Sequence, residues 1–365
     1  MIFRYNAQIK INYKDIKMKF FHLSHTDLDG YGCQLISKKI YKNGYFFNAN
    51  YGLEVKSNLE IILDEIKKSD DKDIFIMITD LNLNLDEAKS LDKSLNQLSD
   101  NGYIIKLQLL DHHGTGQKCA NKYDWYFLDT SRSATKITYE YFKENYEEFD
   151  TLCEDNFDIL VESINAVDIW IEDSKYFEFG KVCMTMVAKS NEINNTLFAN
   201  ENREYRLSLI AETIKYLTQE NGNIKLDEQV YFLKKEYLRN GKENDTMDNL
   251  SSRYLVKMLD DRKDELTIYY KGHKGLLTFT LGGISIPANT FLKANSDYDF
   301  FMDVSRRGKA SARADGKIDV AQLAGKIANG GGHPNAAGMA FDDWKETIKY
   351  SDVKSFIEKK LKGAE

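Results

Sequence analysis

The stretch Tyr103–Leu110 is a largely apolar run that ends in Asp111-His112-His113-Gly114. A strand buried on both faces reads as such a run. Open α/β sheets place their sites at the carboxyl ends of such strands. Two of the chain's six histidines lie side by side here. Taken alone, the segment has a second reading, two surface histidines in a polar turn. The rest of the chain decides between them.

The pattern repeats. Phe20–Ser24 is a short apolar run leading into His25-Thr26-Asp27-Leu28-Asp29-Gly30, and the apolar run from Asp73 ends at Asp80. Tyr45–Tyr51 and Trp125–Leu128 read as further strands. Leu59, Ile62, Leu63 and Ile66 recur at helical spacing, as do Leu85, Ala88, Leu91, Leu95 and Leu98. This alternation predicts an α/β fold, a parallel sheet with helices on both faces. Three of its strands would deliver acids or histidines to one edge.

Residues at i, i+2 and i+4 of an extended segment share a face. His25, Asp27 and Asp29 are therefore expected to converge before Gly30 and Gly32 turn the chain into a helix over 31–41. Two carboxylates and an imidazole suit Mn²⁺, Mg²⁺ or Fe²⁺. An aspartate N-cap with solvated neighbours is the other reading. Asp129–Thr135 reads as a capping cluster for a helix running through Phe142. Phe157, Leu160, Val161, Ile164 and Val167 form a helical stripe that ends at Asp168. A carboxylate near that buried face needs a partner, either a metal or a backbone cap.

A chain of 365 residues predicts two domains. The net charge of −7 argues against a general duplex-DNA binder. It leaves room for a small anionic substrate held through divalent metals. The four cysteines form no CxxC pair, which fits a reducing, cytoplasmic setting better than a disulfide or zinc scaffold. No apolar run approaches the ~18 residues of a membrane span. Residues 1–17 read as an N-terminal extension, because Met18-Lys19-Phe20-Phe21 resembles a second start. Residues 18–190 then form the first domain, and 191–260 a charged helical connector with helices near 203–218 and 226–239. A second, smaller α/β domain follows over 261–350, with strands at 266–270, 276–281 and 298–304, and 351–365 is a C-terminal helix. Across 302–333 six Lys or Arg, including Arg313, face three Asp, a local charge of +3. Val320, Leu323, Ala324 and Ile327 mark a short helix that runs into Gly330-Gly331-Gly332-His333. Three glycines would let the backbone approach a ligand and aim N–H groups at an anion. A helix C-cap explains one glycine and leaves two.

The ordered set His25-Thr26-Asp27-Leu28-Asp29-Gly30, Asp80, Asp111-His112-His113, Asp168 and Gly330–His333 resembles the DHH phosphoesterase superfamily, in the branch that carries a DHHA1 domain. The resemblance implies a parallel-sheet DHH domain, a DHHA1 domain, and two Mn²⁺ or Mg²⁺ ions. Carried over by position, His25, Asp27, Asp29, Asp80, His112 and Asp168 would be metal ligands, with Asp80 bridging. The compact HxDxDG form places His25 two residues before the first acid, whereas many members space it four before. Asp111 would orient a histidine, and His113 would face the scissile phosphate. Gly330, Gly331, Gly332, His333 and Arg313 would hold the substrate's phosphates. The implied activity is that of an oligoribonuclease of the nanoRNase type, releasing mononucleotides from short single-stranded RNA or DNA. Alternatives are a 3′-phosphoadenosine 5′-phosphate phosphatase, a cyclic or linear dinucleotide phosphodiesterase, and a non-catalytic nucleotide-binding module. Homodimers are common among such proteins.

Overall fold

The computed structural model describes residues 11–12 and 17–364. Most of the expected extension over 1–17 therefore lies outside the described residues. The chain divides into two units, one comprising the chain up to Ser190 with Arg203–Leu233, the other Asn191–Asn202 with Lys234 onward.

In the first unit the elements run β1 (Ile11–Asn12), β2 (Lys19–Ser24), α1 (Leu28–Ile40), β3 (Tyr45–Asn48), α2 (Leu53–Lys68), β4 (Asp73–Thr79), α3 (Leu85–Asp100) and β5 (Ile104–Asp111). They continue as α4 (Gln117–Ala120), β6 (Tyr126–Leu128), α5 (Ala134–Asn145), β7 (Tyr146–Glu147), α6 (Phe149–Leu152), α7 (Phe157–Asp168) and α8 (Phe177–Ala188). Five strands form one parallel sheet in the order β3-β2-β4-β5-β6. Ile74, Ile76 and Ile78 of β4 point to one face, where they pack with Val55, Leu59 and Ile62 of α2 and Leu91, Leu95 and Leu98 of α3. Phe75 and Met77 alternate to the other face, as the strand period requires. Helices α1, α5 and α7 pack together. Ser24 pairs in register with Thr79, and Thr79 with Leu110, so the carboxyl ends of β2, β4 and β5 finish level. That alignment brings three separate sequence motifs to one edge.

One histidine on β2 belongs to the core. His22 is fully buried, its Nδ1 2.8 Å from Ser37 Oγ and its Nε2 2.8 Å from Thr79 Oγ1. Burial, helped by the positive charge of Arg203, lowers its pKa to about 3, so the ring is neutral.

The 191–260 stretch is shared between the units. Helices α9 (Ala199–Thr213), α10 (Gly222–Arg239) and α11 (Met247–Leu266) occupy it. The second unit continues with β8 (Thr267–Tyr270), β9 (His273–Phe279), α12 (Ser285–Ala294), β10 (Phe300–Val304), β11 (Lys309–Ala314), α13 (Val320–Ile327), β12 (Asn329–His333), β13 (Ala336–Ala340) and α14 (Tyr350–Gly363). Its six-stranded sheet has the order β12-β13-β11-β10-β9-β8, antiparallel except for β9 with β10. One face carries the core, with Leu277, Met302, Ala312, Ala337 and Met339 packed against Leu323 and Ile327 of α13 and Val353 and Ile357 of α14.

The basic stretch 305–314 supplies a strand, β11. The glycine run also forms a strand, because Gly330–His333 pairs with Ala336–Met339 as the edge strand β12. Pro334 and Asn335 make the turn between them. Glycine is permitted at an edge where side chains on the partner approach closely. A Cβ on Gly330 would lie 2.5 Å from Met339 Cβ.

Candidate active site

Asp27 ends the extended segment that follows β2. It is the N-cap of α1, its Oδ1 accepting from Gly30 N at 3.0 Å. The helix begins at Leu28 rather than at Tyr31, so Asp29 lies in its first turn. His25, Asp27 and Asp29 therefore do not share the face that an extended chain would give them. His25 and Asp27 stay together, with His25 Nδ1 2.7 Å from Asp27 Oδ2. Asp29 turns inward and accepts from Ala134 N and Thr135 N at the start of α5, both at 2.8 Å. The expected capping cluster over 129–135 thus works with a carboxylate from α1 as well as its own Ser133.

Asp80 joins the two arrangements. It follows β4 with φ 56°, a left-handed conformation uncommon outside glycine and held where structure around it is dense. Its Oδ2 is 3.7 Å from His25 Nδ1, and its Oδ1 is 3.3 Å from His112 Nε2. His112 Nε2 also lies 3.7 Å from Asp29 Oδ2 and 3.5 Å from Asp168 Oδ2 at the end of α7. Three overlapping donor groups result, His25 with Asp27 and Asp80, Asp29 with His112 and Asp168, and Asp80 with His112 and His113.

The electrostatics are lopsided. Burial, and then the charges of Asp29 and Asp27, push Asp80 well above the usual carboxylate range. Asp168 shifts the same way, through burial and the neighbouring Asp29. Burial works against a charged His25, but the Asp27 and Asp80 carboxylates outweigh it and raise that imidazole to about 10. Burial also opposes charge on Asp27, yet the hydrogen bond from His25 holds it down to about 2.

A divalent cation fits this set. Asp80 Oδ2 and Asp168 Oδ2 are buried without a hydrogen-bond partner. Buried carboxylate oxygens without donors are costly, and in native proteins they mark pairing or metal coordination. The donors are carboxylate oxygens and imidazole nitrogens, the set that suits Mn²⁺ and Mg²⁺. Ligands about 2.1 Å from a hard octahedral cation stand ~3 Å apart, close to the 3.3–3.7 Å separations around His112 Nε2.

Asp111 does not join the donor groups. It is fully buried, and its Oδ1 accepts from His113 N at 3.2 Å and lies 2.8 Å from His113 Nδ1. Its Oδ2 accepts from Tyr126 OH at 2.5 Å. His113 is thereby held through Nδ1, and its ring stays partly exposed. Tyr51, just past β3, lies with its ring centroid 5.4 Å from that of His25 and 5.9 Å from that of His113. By sequence alone Tyr51 reads as the end of a strand, Tyr45–Tyr51. Its place one residue beyond a polar Asn48-Ala49-Asn50 exit was the available signal. Tyr126 was read only as part of a strand, and nothing in the linear sequence marks its bond to Asp111.

In the second unit, register puts Arg313, Ala336 and His333 in one cross-strand row, and Ser311, Gly338 and Gly331 in the next. These rows lie on the face opposite the Ala312, Ala337 and Met339 core, since strand residues alternate. A Cβ added at Gly331 or Gly338 would meet nothing within 4 Å. The glycines therefore offer an open backbone floor beside a guanidinium and an imidazole. Arg313 Nη2 donates to Ser285 Oγ at 3.1 Å.

A DHHA1 domain model matches residues 282–363. The chain is 43% identical over 347 residues to a protein of Helicobacter pylori named 3′,5′-cyclic-nucleotide phosphodiesterase, covering 95% of this chain and all of that one. It is 25% identical over 332 residues to oligoribonuclease NrnB of Bacillus subtilis, covering 88% of this chain and 73% of the relative. A crystal structure of an uncharacterized protein from Helicobacter pylori G27 superposes with a TM-score of 0.87 at 43% identity, over 94% of this chain and 99% of that one.

Proposed function

The chain belongs to the DHH/DHHA1 phosphoesterase superfamily, and from that premise we propose that it hydrolyses the 3′,5′-phosphodiester bonds of small nucleotides with the help of two Mn²⁺ or Mg²⁺ ions. The observation that carries this reading is the convergence of Asp29, Asp80, His112 and Asp168, with Asp80 Oδ2 and Asp168 Oδ2 buried and unsatisfied.

His25, Asp27 and Asp80 would hold one ion, and Asp29, Asp80, His112 and Asp168 the other, with Asp80 shared. The ions when bound supply an acidified water and positive charge opposite the phosphate. His113, held at Nδ1 by Asp111, presents its Nε2 to the phosphate and, in its protonated form, donates a hydrogen bond to a phosphate oxygen as charge develops. Arg313, His333 and the open backbone of the Gly330–Gly332 edge strand bind the substrate's phosphates. Tyr51 offers a half-exposed ring beside His25 and His113 for a sugar or base.

The full-length relative at 43% identity favours 3′,5′-cyclic nucleotides as the substrate. A second reading, short oligonucleotides degraded to mononucleotides, is favoured by the oligoribonuclease relative. A product time course decides between them. The substrates are a 3′,5′-cyclic nucleotide, 5′-labelled RNAs of two to about ten nucleotides, and 3′-phosphoadenosine 5′-phosphate. Each is incubated with Mn²⁺ and, separately, with Mg²⁺, beside an H112A control. Loss of the cyclic nucleotide in the wild type alone supports the first reading, and loss of the short RNAs supports the second. Turnover confined to 3′-phosphoadenosine 5′-phosphate would move the activity to a nucleotide phosphatase. No turnover with either metal would leave a nucleotide-binding module.

A further inference from the structure

The structure assigns Tyr126 as a positioning residue for the reaction, fixing the orientation and tautomer of His113 through Asp111. This rests on the proposed role of His113 at the phosphate.

Asp111 is fully buried at the end of β5, so each of its oxygens needs donors. Tyr126 OH supplies one to Oδ2 at 2.5 Å, from β6, which pairs with β5. With Oδ2 so engaged, the carboxylate plane is set and Oδ1 faces His113. There it meets both the backbone N–H, at 3.2 Å, and Nδ1, at 2.8 Å. A carboxylate accepts only, so Nδ1 carries the proton and the neutral ring has its lone pair on Nε2. The ring nitrogen left for chemistry is thus chosen two bonds away, by a tyrosine that touches no donor group. Outer partners of this kind tune histidine orientation and tautomer at reactive sites.

The turn after His113 is built around the same contact. Gly114-Thr115-Gly116 forms one tight turn, and a Cβ on Gly116 would lie 1.9 Å from Tyr126 Oη and 3.0 Å from Asp111 Oδ2. Any larger residue there displaces the hydroxyl from the carboxylate. Gly116 is therefore the space that lets Tyr126 reach Asp111. The hydroxyl is not a general packing element, because the Tyr126 ring already packs with Trp125 and the sheet core.

The test uses Y126F, which removes one oxygen and keeps the ring, and G116A, which keeps the hydroxyl and crowds it. Two readouts are taken. One is the ¹⁵N spectrum of the histidine-labelled, metal-free protein near pH 8. The other is steady-state kinetics in Mn²⁺ on whichever small phosphodiester the wild type hydrolyses. The wild type is expected to show His113 as the Nδ1–H tautomer. Both variants are expected to show a mixture of tautomers and a kcat lowered about tenfold, with KM within twofold. A general packing defect would lower the melting temperature and leave the tautomer intact. An H113A control separates the two ideas. If H113A is inactive but Y126F and G116A keep both the tautomer and kcat, the role of Tyr126 is overturned while that of His113 stands. If H113A retains full activity, the reading of His113 fails, and the tautomer readout still judges whether Tyr126 fixes the ring. A wild-type His113 found as the Nε2–H tautomer overturns the proposal without any variant, as does a Y126F that folds, keeps the tautomer and keeps kcat.

Discussion

Asp80, just past β4, and Asp303, on β10, are both buried aspartates, yet protein donors complete only one of them. Asp303, on β10, accepts from Thr278 Oγ1 at 2.9 Å, Leu281 N at 3.1 Å and Gly282 N at 3.2 Å. Burial still raises it, to about 6, but every oxygen has a donor. Asp80 has carboxylate neighbours in place of amides, and its Oδ2 has no hydrogen-bond partner. The same residue type in the same kind of place is a structural tie in one unit and an open donor in the other. What separates them is whether backbone N–H groups converge on the oxygens. A buried acid closed by the chain is a tie within the fold, and one left open fits a cation.

The sharpest way to break this contrast is D80N. It keeps the shape and removes the charge. Phosphodiesterase activity is expected to fall by about 10²–10³-fold, as when one transition-state stabilising group is lost. The sign on stability should reverse with metal. Without metal, Asp80 is a buried charge among like charges, and a carboxyl raised by the fold loses stability as pH climbs above its unfolded value. Metal-free D80N should therefore melt above metal-free wild type at pH 8, by a few degrees. With saturating Mn²⁺ the order should invert, because only the wild type gains full binding energy. Scanning calorimetry of both proteins with and without Mn²⁺ reads the crossing. Identical melting temperatures in all four samples would remove the distinction between Asp80 and Asp303.

D303N is the opposite case. The amide nitrogen would face Gly282 N in one orientation and Leu281 N in the other, leaving buried donors against each other. The expected cost is about 1–3 kcal/mol of stability, read by urea unfolding, with no reversal by metal.

The edge strand of the second unit sharpens the contrast between backbone and side-chain sites. G330A places its Cβ 2.5 Å from Met339 Cβ, so the core must shift, at about 1–3 kcal/mol. G331A meets nothing within 4 Å and should leave stability within ~0.5 kcal/mol. If Gly331 contributes an open floor for phosphate, G331A should nevertheless raise KM several-fold. Equal KM values for G331A and wild type would take that glycine out of the substrate site.

What the sequence made legible follows one rule. Features carried by period and position could be read, such as the parallel alternation around Ile74–Ile78 and Leu107–Leu110, and the acids at the strand ends. Features that depend on where a helix starts or which strand is an edge could not. Asp29 left the face of His25 because Asp27 caps α1, moving the helix start back to Leu28. Gly330–His333 is not legible as a strand because glycine weakens strand propensity, and only pairing with Ala336–Met339 reveals the edge strand. Tyr51 and Tyr126 were missed because each acts through a tertiary contact that no local pattern encodes.

His22 gives the smallest effect and the cleanest control, since it lies on β2 with its ring between Ser37 and Thr79 in the core. Its folded pKa of about 3 lies below the ordinary value of 6.5. The unfolded chain therefore binds a proton that the folded chain excludes. The contribution is constant above about pH 6.5 and is lost progressively as pH falls towards 3, at about 1 kcal/mol per pH unit. H22Q keeps a polar group that can bridge Ser37 and Thr79 without titrating. Its stability at neutral pH should be lower, because one of two 2.8 Å contacts is weakened. Between pH 6.5 and 4.5, however, its stability should fall less steeply than that of the wild type by about that slope. Urea unfolding of the two metal-free proteins across that range reads the difference, and the titration of His25 and its acidic neighbours, common to both, cancels. Parallel pH profiles would mean that the unfolded chain does not take up a proton at His22 that the folded core refuses.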